Sequence, residues 1–196
     1  DAGASVNGYA SDITRTYAKE SGEFADLIER FDELQQELVA QVKAGVEFAE
    51  LHLKCHRRIA ELLAETGIAK GSADALIEAG VTAAFYPHGL GHLLGIQVHD
   101  VGGHQVDDTG TKVDPPSGHP YLRLTRKLEV DQVLTIEPGL YVIDMLLENL
   151  AGTQAEEMID KERLDWLRPY GGIRIEDNVR VLADGCENLT RGAFAA

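Results

Sequence analysis

At 196 residues, 44% hydrophobic and 26% charged, the chain has an ordinary globular composition and is long enough to bury one good-sized core. Its net charge of −15 argues against nucleic acid or an anionic membrane surface as a partner, and no apolar stretch approaches bilayer-spanning length. No signal peptide is recognised, and Cys55 and Cys186 are too few for a disulfide framework, so a cytoplasmic protein with reduced thiols is expected.

Residues 9 to 17 are rich in β-branched and aromatic side chains and predict a strand. From about Glu23 to Ala44, Phe24, Leu27, Ile28, Phe31, Leu34, Leu38 and Val42 recur at helical spacing, with Gly45 placed to close the helix at C′. A second helix is predicted over about Ala49 to Glu65, followed by Gly67. Ser72 is the expected N-cap of a short third helix reaching about Ala79. Beyond it, segments 92–99, 133–137, 139–143 and 172–183 read as strands broken by Gly and Pro. Residues 103–119 form a long polar loop of the kind that often carries function. The expected fold class is α+β, with helices gathered in the first half.

Five residues stand out as a metal-ligand set: Asp1, Asp12, His92, Glu137 and Glu176. Four carboxylates with one imidazole suit hard or borderline divalent ions such as Mn, and also Co or Zn, rather than a thiolate-built zinc site. Carboxylates converge in this way only around positive charge. A tight turn between Asp1 and Asp12 would set them side by side on neighbouring strands, although the pair alone also fits a solvated surface hairpin. Residues 88–100 hold His88, His92 and His99 among three glycines, which places imidazoles beside permissive backbone. Glu137 lies in an apolar strand just before Pro138-Gly139, where a buried acid needs a cation or a hydrogen-bond partner. Arg174 and Glu176 alternate onto one face of a strand, a spacing that also fits a plain ion pair. His52 and His56 have the i, i+4 spacing of a two-histidine metal pair but lack an accompanying Glu. With Lys54, Arg57 and Arg58 around them, they read as a solvated basic face.

In order, Asp1-x10-Asp12, His88-Gly-Leu-Gly-His92, Val98-His99-Asp100, Glu137-Pro-Gly and Gly-Ile-Arg174-Ile-Glu176-Asp resemble the pita-bread metallopeptidases. That group includes methionine aminopeptidase, aminopeptidase P, prolidase and creatinase. Tyr86-Pro-His-Gly-Leu-Gly-His, Tyr121-Leu-Arg123-Leu-Thr-Arg and Leu134-Thr-Ile-Glu-Pro-Gly-Leu-Tyr are most similar to the bacterial prolidase, or Xaa-Pro dipeptidase, branch, which also includes enzymes that hydrolyse organophosphorus esters. The resemblance implies two divalent metal ions, Mn first. Asp1 would bind one, Asp12 and Glu176 would bridge both, and His92 and Glu137 would hold the other. It further implies Glu137 as proton shuttle, His99 as oxyanion stabiliser and His88 as pocket lining. Arg123 or Arg174 would grip the carboxylate of an Xaa-Pro dipeptide, Arg123 being favoured because Arg174 lies close to Glu176. Full-length relatives carry an N-terminal domain and further elements before the first ligand, so residues 1–196 are expected to form a partial pita-bread catalytic domain, truncated on its N-terminal side. A homodimer is expected at full length. The competing expectations are an aminopeptidase P acting on longer peptides, a metal-independent creatinase-like hydrolase, and a non-catalytic binding module.

Overall fold

In the computed structural model, which describes residues 1–195, the chain divides into two units. The first gathers Asp1–His52, His88–Pro138 and Arg174–Ala196; the second gathers Leu53–Pro87 and Gly139–Ile173.

The first unit opens with a hairpin, β1 (Ser5–Val6) against β2 (Tyr9–Ala10), turned by Asn7-Gly8. Both turn residues have positive φ, 53° and 88°, the geometry of a type I′ turn, whose twist matches that of the strands it joins. Hydrogen bonds between Ala2 and Ile13 extend the pairing towards the chain start, and Thr14 pairs in turn with Glu176. The predicted strand over 9–17 is therefore real but interrupted. Helix α1 (Glu23–Val39) buries Phe24, Leu27, Phe31, Leu34 and Leu38 along one stripe, each full burial contributing about 1.5–3 kcal/mol. It stops at Val39, short of the predicted Ala44. The following turn tightens to i→i+3 bonds, and tertiary partners then take the backbone: Ala44 N–H donates to Leu182 and Gly45 N–H to Leu128. Gly45 has the left-handed φ anticipated for it, but in a later turn and not at C′.

Helix α2 (Phe48–Glu65) starts in the first unit and runs into the second. There it is followed by α3 (Ala73–Glu78), whose N-cap Ser72 Oγ accepts from Ala75 N–H at 3.3 Å, and by α4 (Val81–Phe85). Between the two visits of the chain to the second unit comes β3 (Val133–Ile136) of the first. β4 (Gly139–Tyr141) then pairs with β5 (Gly172–Arg174). Three short helices lie between those strands: α5 (Asp144–Glu148), α6 (Gln154–Met158) and α7 (Lys161–Leu167), the last capped by Asp160. None was expected from the sequence, because helices this short show no sustained period.

β6 (Asp177–Val181), β7 (Cys186–Asn188) and a last helix α8 (Leu189–Ala195) complete the first unit. Its sheet has the antiparallel order β3-β6-β7, with Ile136 opposite Asp177. Segment 92–99 is not the continuous strand expected. Residues 90–94 run beside β3 through Leu94 N–H to Val133, Thr135 N–H to His92 and Glu137 N–H to Leu90. From Gly95 onward the chain bends away. Both cysteines are free, and no helix among the described residues is long and apolar enough to cross a membrane.

Candidate metal centre and substrate cavity

The hairpin brings Asp1 and Asp12 to neighbouring strands. Asp12 is fixed through its backbone: Asn178 Oδ1 accepts from Asp12 N–H at 3.1 Å and Asn178 Nδ2 donates to the Asp12 carbonyl. Asp1 is 57% exposed and pairs with the Arg174 guanidinium. Glu176 falls between β5 and β6, where the Thr14 pairing turns it inward to 2% exposure. Thr14 Oγ1 donates to Glu176 Oε2 at 2.8 Å, while the buried Oε1 has no hydrogen-bond partner.

His92 arrives on the segment beside β3. A Cβ on Gly91 would lie 1.9 Å from the Thr135 carbonyl oxygen, so only glycine lets this segment approach closely enough. His92 Nδ1 donates to the Leu93 carbonyl at 3.0 Å. Its buried Nε2 is left without a hydrogen bond, 3.6 Å from Asp12 Oδ2 and 3.4 Å from Glu137 Oε1. Burial pulls the His92 pKa below its ordinary value, which leaves Nε2 as a neutral lone pair. Glu137 Oε1 accepts from Thr135 Oγ1 at 3.2 Å, and the same hydroxyl accepts from His92 N–H at 3.1 Å. Burial first, and then the charge of Glu176, push the Glu137 carboxyl up to about 8; Glu176 is raised too, mainly by burial.

These donors form two groups with a common member: His92, Glu137 and Glu176, and Asp1, Asp12 and Glu176, the ligand atoms of each lying within 4.8 Å of one another. The residues fit divalent cations. Two buried ligand atoms, His92 Nε2 and Glu176 Oε1, face the cluster without hydrogen bonds, and burial, followed by neighbouring negative charge, holds the Glu137 and Glu176 carboxyls high.

Beside the cluster is a cavity of about 540 Å³ lined by His88, His99, His104, Tyr121, Arg123, Glu137 and Arg174. The His99 ring stands edge-on to His92 with centroids 4.3 Å apart, and His88 Nδ1 donates to the Gly89 carbonyl at 2.8 Å. The two arginines differ in their commitments. Arg174 holds Asp1 and Thr14 Oγ1, whereas the exposed Arg123 guanidinium makes no ion pair among the described residues.

Sequence reasoning missed Thr14, Thr135 and Asn178, which hydrogen-bond the candidate ligands, and His104 and Tyr121 in the cavity wall. His104 lies in the long polar loop and Tyr121 two residues before Arg123, so position alone could have raised them. The reading of His52 and His56 as a solvated basic face is wrong: both are buried. Positions 52, 55, 56 and 59 share the apolar stripe of α2, while Leu53, Lys54 and Arg57 take the wet side. His52 Nε2 meets His119 Nδ1 at 3.0 Å, and His56 Nδ1 meets Thr82 Oγ1 at 3.1 Å.

The model of metallopeptidase family M24 matches residues 1–183. The chain belongs to metallopeptidase family M24. Among its relatives, the Xaa-Pro dipeptidases of Aeromonas hydrophila and Shewanella pealeana are 55% and 52% identical to this M24 chain over 98% and 97% of its length. The alignments cover only 44% and 43% of those proteins, so the chain spans less than half of their length. Solved structures of aminopeptidase PepP from Pseudomonas aeruginosa and of Zn-substituted E. coli aminopeptidase P in complex with product are similar at TM-score 0.66, with 30% and 31% identity. They cover 95% and 94% of this chain, which in turn covers 36% of each. The M24 chain thus has the α+β pita-bread fold.

Proposed function

We propose that this chain carries the catalytic centre of a metal-dependent Xaa-Pro dipeptidase, in which two divalent cations, manganese first and cobalt or zinc as substitutes, are held by Asp1, Asp12, His92, Glu137 and Glu176. The observation that carries this reading is the pair of donor groups sharing Glu176 beside a cavity that contains an uncommitted guanidinium. Bound there, two cations would supply Lewis acidity and a water acidic enough to react near neutral pH.

The protein's own groups do the rest. Arg123 takes the free carboxylate that follows proline, fixing the dipeptide so that its peptide bond lies over the cluster. Arg174 keeps Asp1 and the Thr14–Glu176 contact in place. His99 donates to the oxygen that becomes negative as the carbonyl is attacked, and His88 lines the cavity. Glu137 acts as the proton shuttle: its carboxylate would take a proton from the attacking water and pass it to the proline nitrogen, which must leave as an amine. The resemblance also leads us to propose a cytoplasmic homodimer at full length, with organophosphorus esters as side substrates.

Metal analysis of the full-length protein should find about two ions per chain, as a bridged two-metal site requires. Xaa-Pro should be hydrolysed in preference to Xaa-Pro-Xaa. A preference for the tripeptide would replace this reading with an aminopeptidase P. Fewer than about two ions, with no hydrolysis, would point to a binding module that has lost metal chemistry.

A further inference from the structure

Four polar side chains from distant parts of the sequence form one hydrogen-bonded path through the first unit. Arg15 Nη1 donates to the carbonyls of Thr14 and Glu176, both at 2.8 Å, and Nη2 donates to Asp177 Oδ1 at 2.5 Å. The second Asp177 oxygen accepts from Arg191 Nε and from Asn188 Nδ2, each at 2.7 Å. Arg191 Nη2 continues to Asp32 Oδ1 at 2.5 Å and Gln35 Oε1 at 3.0 Å. Gln35 Nε2 ends the path on the carbonyl of Ile136 at 3.2 Å.

Both ends of this path are peptide groups next to candidate ligands. Arg15 holds the carbonyl of Glu176 itself and that of Thr14, two residues after Asp12. Gln35 holds the carbonyl of the peptide bond leading into Glu137. Apolar side chains could fill the same volume at lower cost. Asp177 and Gln35 are fully buried, and Gln35 sits on the apolar stripe of α1 between Leu34 and Leu38. Buried charged pairs contribute little net stability against apolar replacements, but they are directional and lose several kcal/mol when broken on one side. What the path provides is a fixed spacing between the hairpin strand, the start of β6 and the end of β3.

We propose that Arg15, Asp177, Arg191 and Gln35 are positioning residues that set the distance between the Asp12, Glu176 and Glu137 backbones, so that Glu176 is shared by both donor groups. This deepens the functional reading above and rests on it. The test is a Co(II) titration of the full-length protein, followed by visible absorption, for wild type, Gln35→Met, Asp177→Asn and the packing control Leu34→Ala. Gln35→Met removes both hydrogen bonds at nearly constant volume and without stranding a charge in place of Gln35, so it decides the matter if Asp177→Asn does not fold.

Wild type should take up two Co(II). Gln35→Met should stay folded, bind the second Co(II) at least about tenfold more weakly, in the range known for partners that orient ligands, and alter its absorption band. It should lower kcat with little change in KM, because Arg123 is untouched. Leu34→Ala, at an equal or larger loss of melting temperature, should keep both ions and the wild-type spectrum. Wild-type affinity and spectrum in Gln35→Met, or equal losses in Leu34→Ala, would overturn the positioning role while leaving the two-metal reading intact. Failure of wild type to bind two Co(II) would overturn that reading and this inference with it.

Discussion

Arg123 and Arg174 carry the same charge into the same cavity, but only one of them is free to bind something else. Arg174 is bonded to Asp1 and Thr14, so truncating it would disturb the ligands as well as any substrate contact. Arg123 has no carboxylate partner among the described residues, and its loss strands none. Arg123→Ala should therefore raise KM for Xaa-Pro by roughly ten- to hundredfold, the equivalent of about 1.5–3 kcal/mol for a charge-assisted hydrogen bond, with kcat nearly unchanged. Xaa-prolinamide, which lacks the carboxylate, should be hydrolysed equally by both forms. Steady-state kinetics on the two substrates checks this, and an equal KM rise for the amide would assign Arg123 to something other than the carboxylate. The candidate ligand carboxylates stand out one by one in the sequence because each sits in a short ordered motif. Thr14, Thr135 and Asn178 do not, since a threonine or asparagine declares itself only through its partner. Their partners Glu176, His92 and Asp12 lie 162, 43 and 166 residues away, and Thr135 reaches Glu137 two residues on as well.

At the scale of elements, the existence of the two long helices was readable, while their ends and the short helices α5 to α7 were not. The apolar stripes of α1 and α2 carry their own period, whereas the stop at Val39 depends on carbonyls of Leu128 and Leu182 that no local pattern names. The same contrast explains segment 92–99. Its apolar residues suggested a strand throughout, but only residues 90–94 have β3 beside them, and that contact depends on Gly91. A methyl group at Gly91 would overlap the Thr135 carbonyl, so Gly91→Ala must push the His92 segment off β3. The expected result is a loss of about 1–3 kcal/mol in stability by denaturant unfolding, as for an overpacked core site, with weakened metal binding. Gly95, at which the segment turns away, would meet a side chain and not backbone, the Asp100 carboxylate, and Gly95→Ala should cost less. Equal effects at the two glycines would show that the close approach to β3 is not what specifies glycine at Gly91.

For the molecule as a whole, the acidity that argues against a nucleic-acid partner is partly concentrated where cations are expected, which ties stability to pH through metal. In the metal-free fold the Glu137 carboxyl is raised from 4.5 to about 8. A raised folded-state value means that the fold binds this proton more tightly than the unfolded chain does. That contribution to stability is fully present below about pH 4.5 and is lost as pH climbs through about 8. A cation reverses the trend, since it must displace the proton at low pH and meets an ionised carboxylate at higher pH. The difference in melting temperature between metal-loaded and chelator-treated protein should therefore widen from about pH 6 to about pH 8. Thermal melts at constant ionic strength, with and without chelator, provide the measurement. A difference that stays flat or shrinks over that window would mean that the cation does not displace the Glu137 proton, and the ligand set would have to be redrawn around Asp1, Asp12 and Glu176 alone.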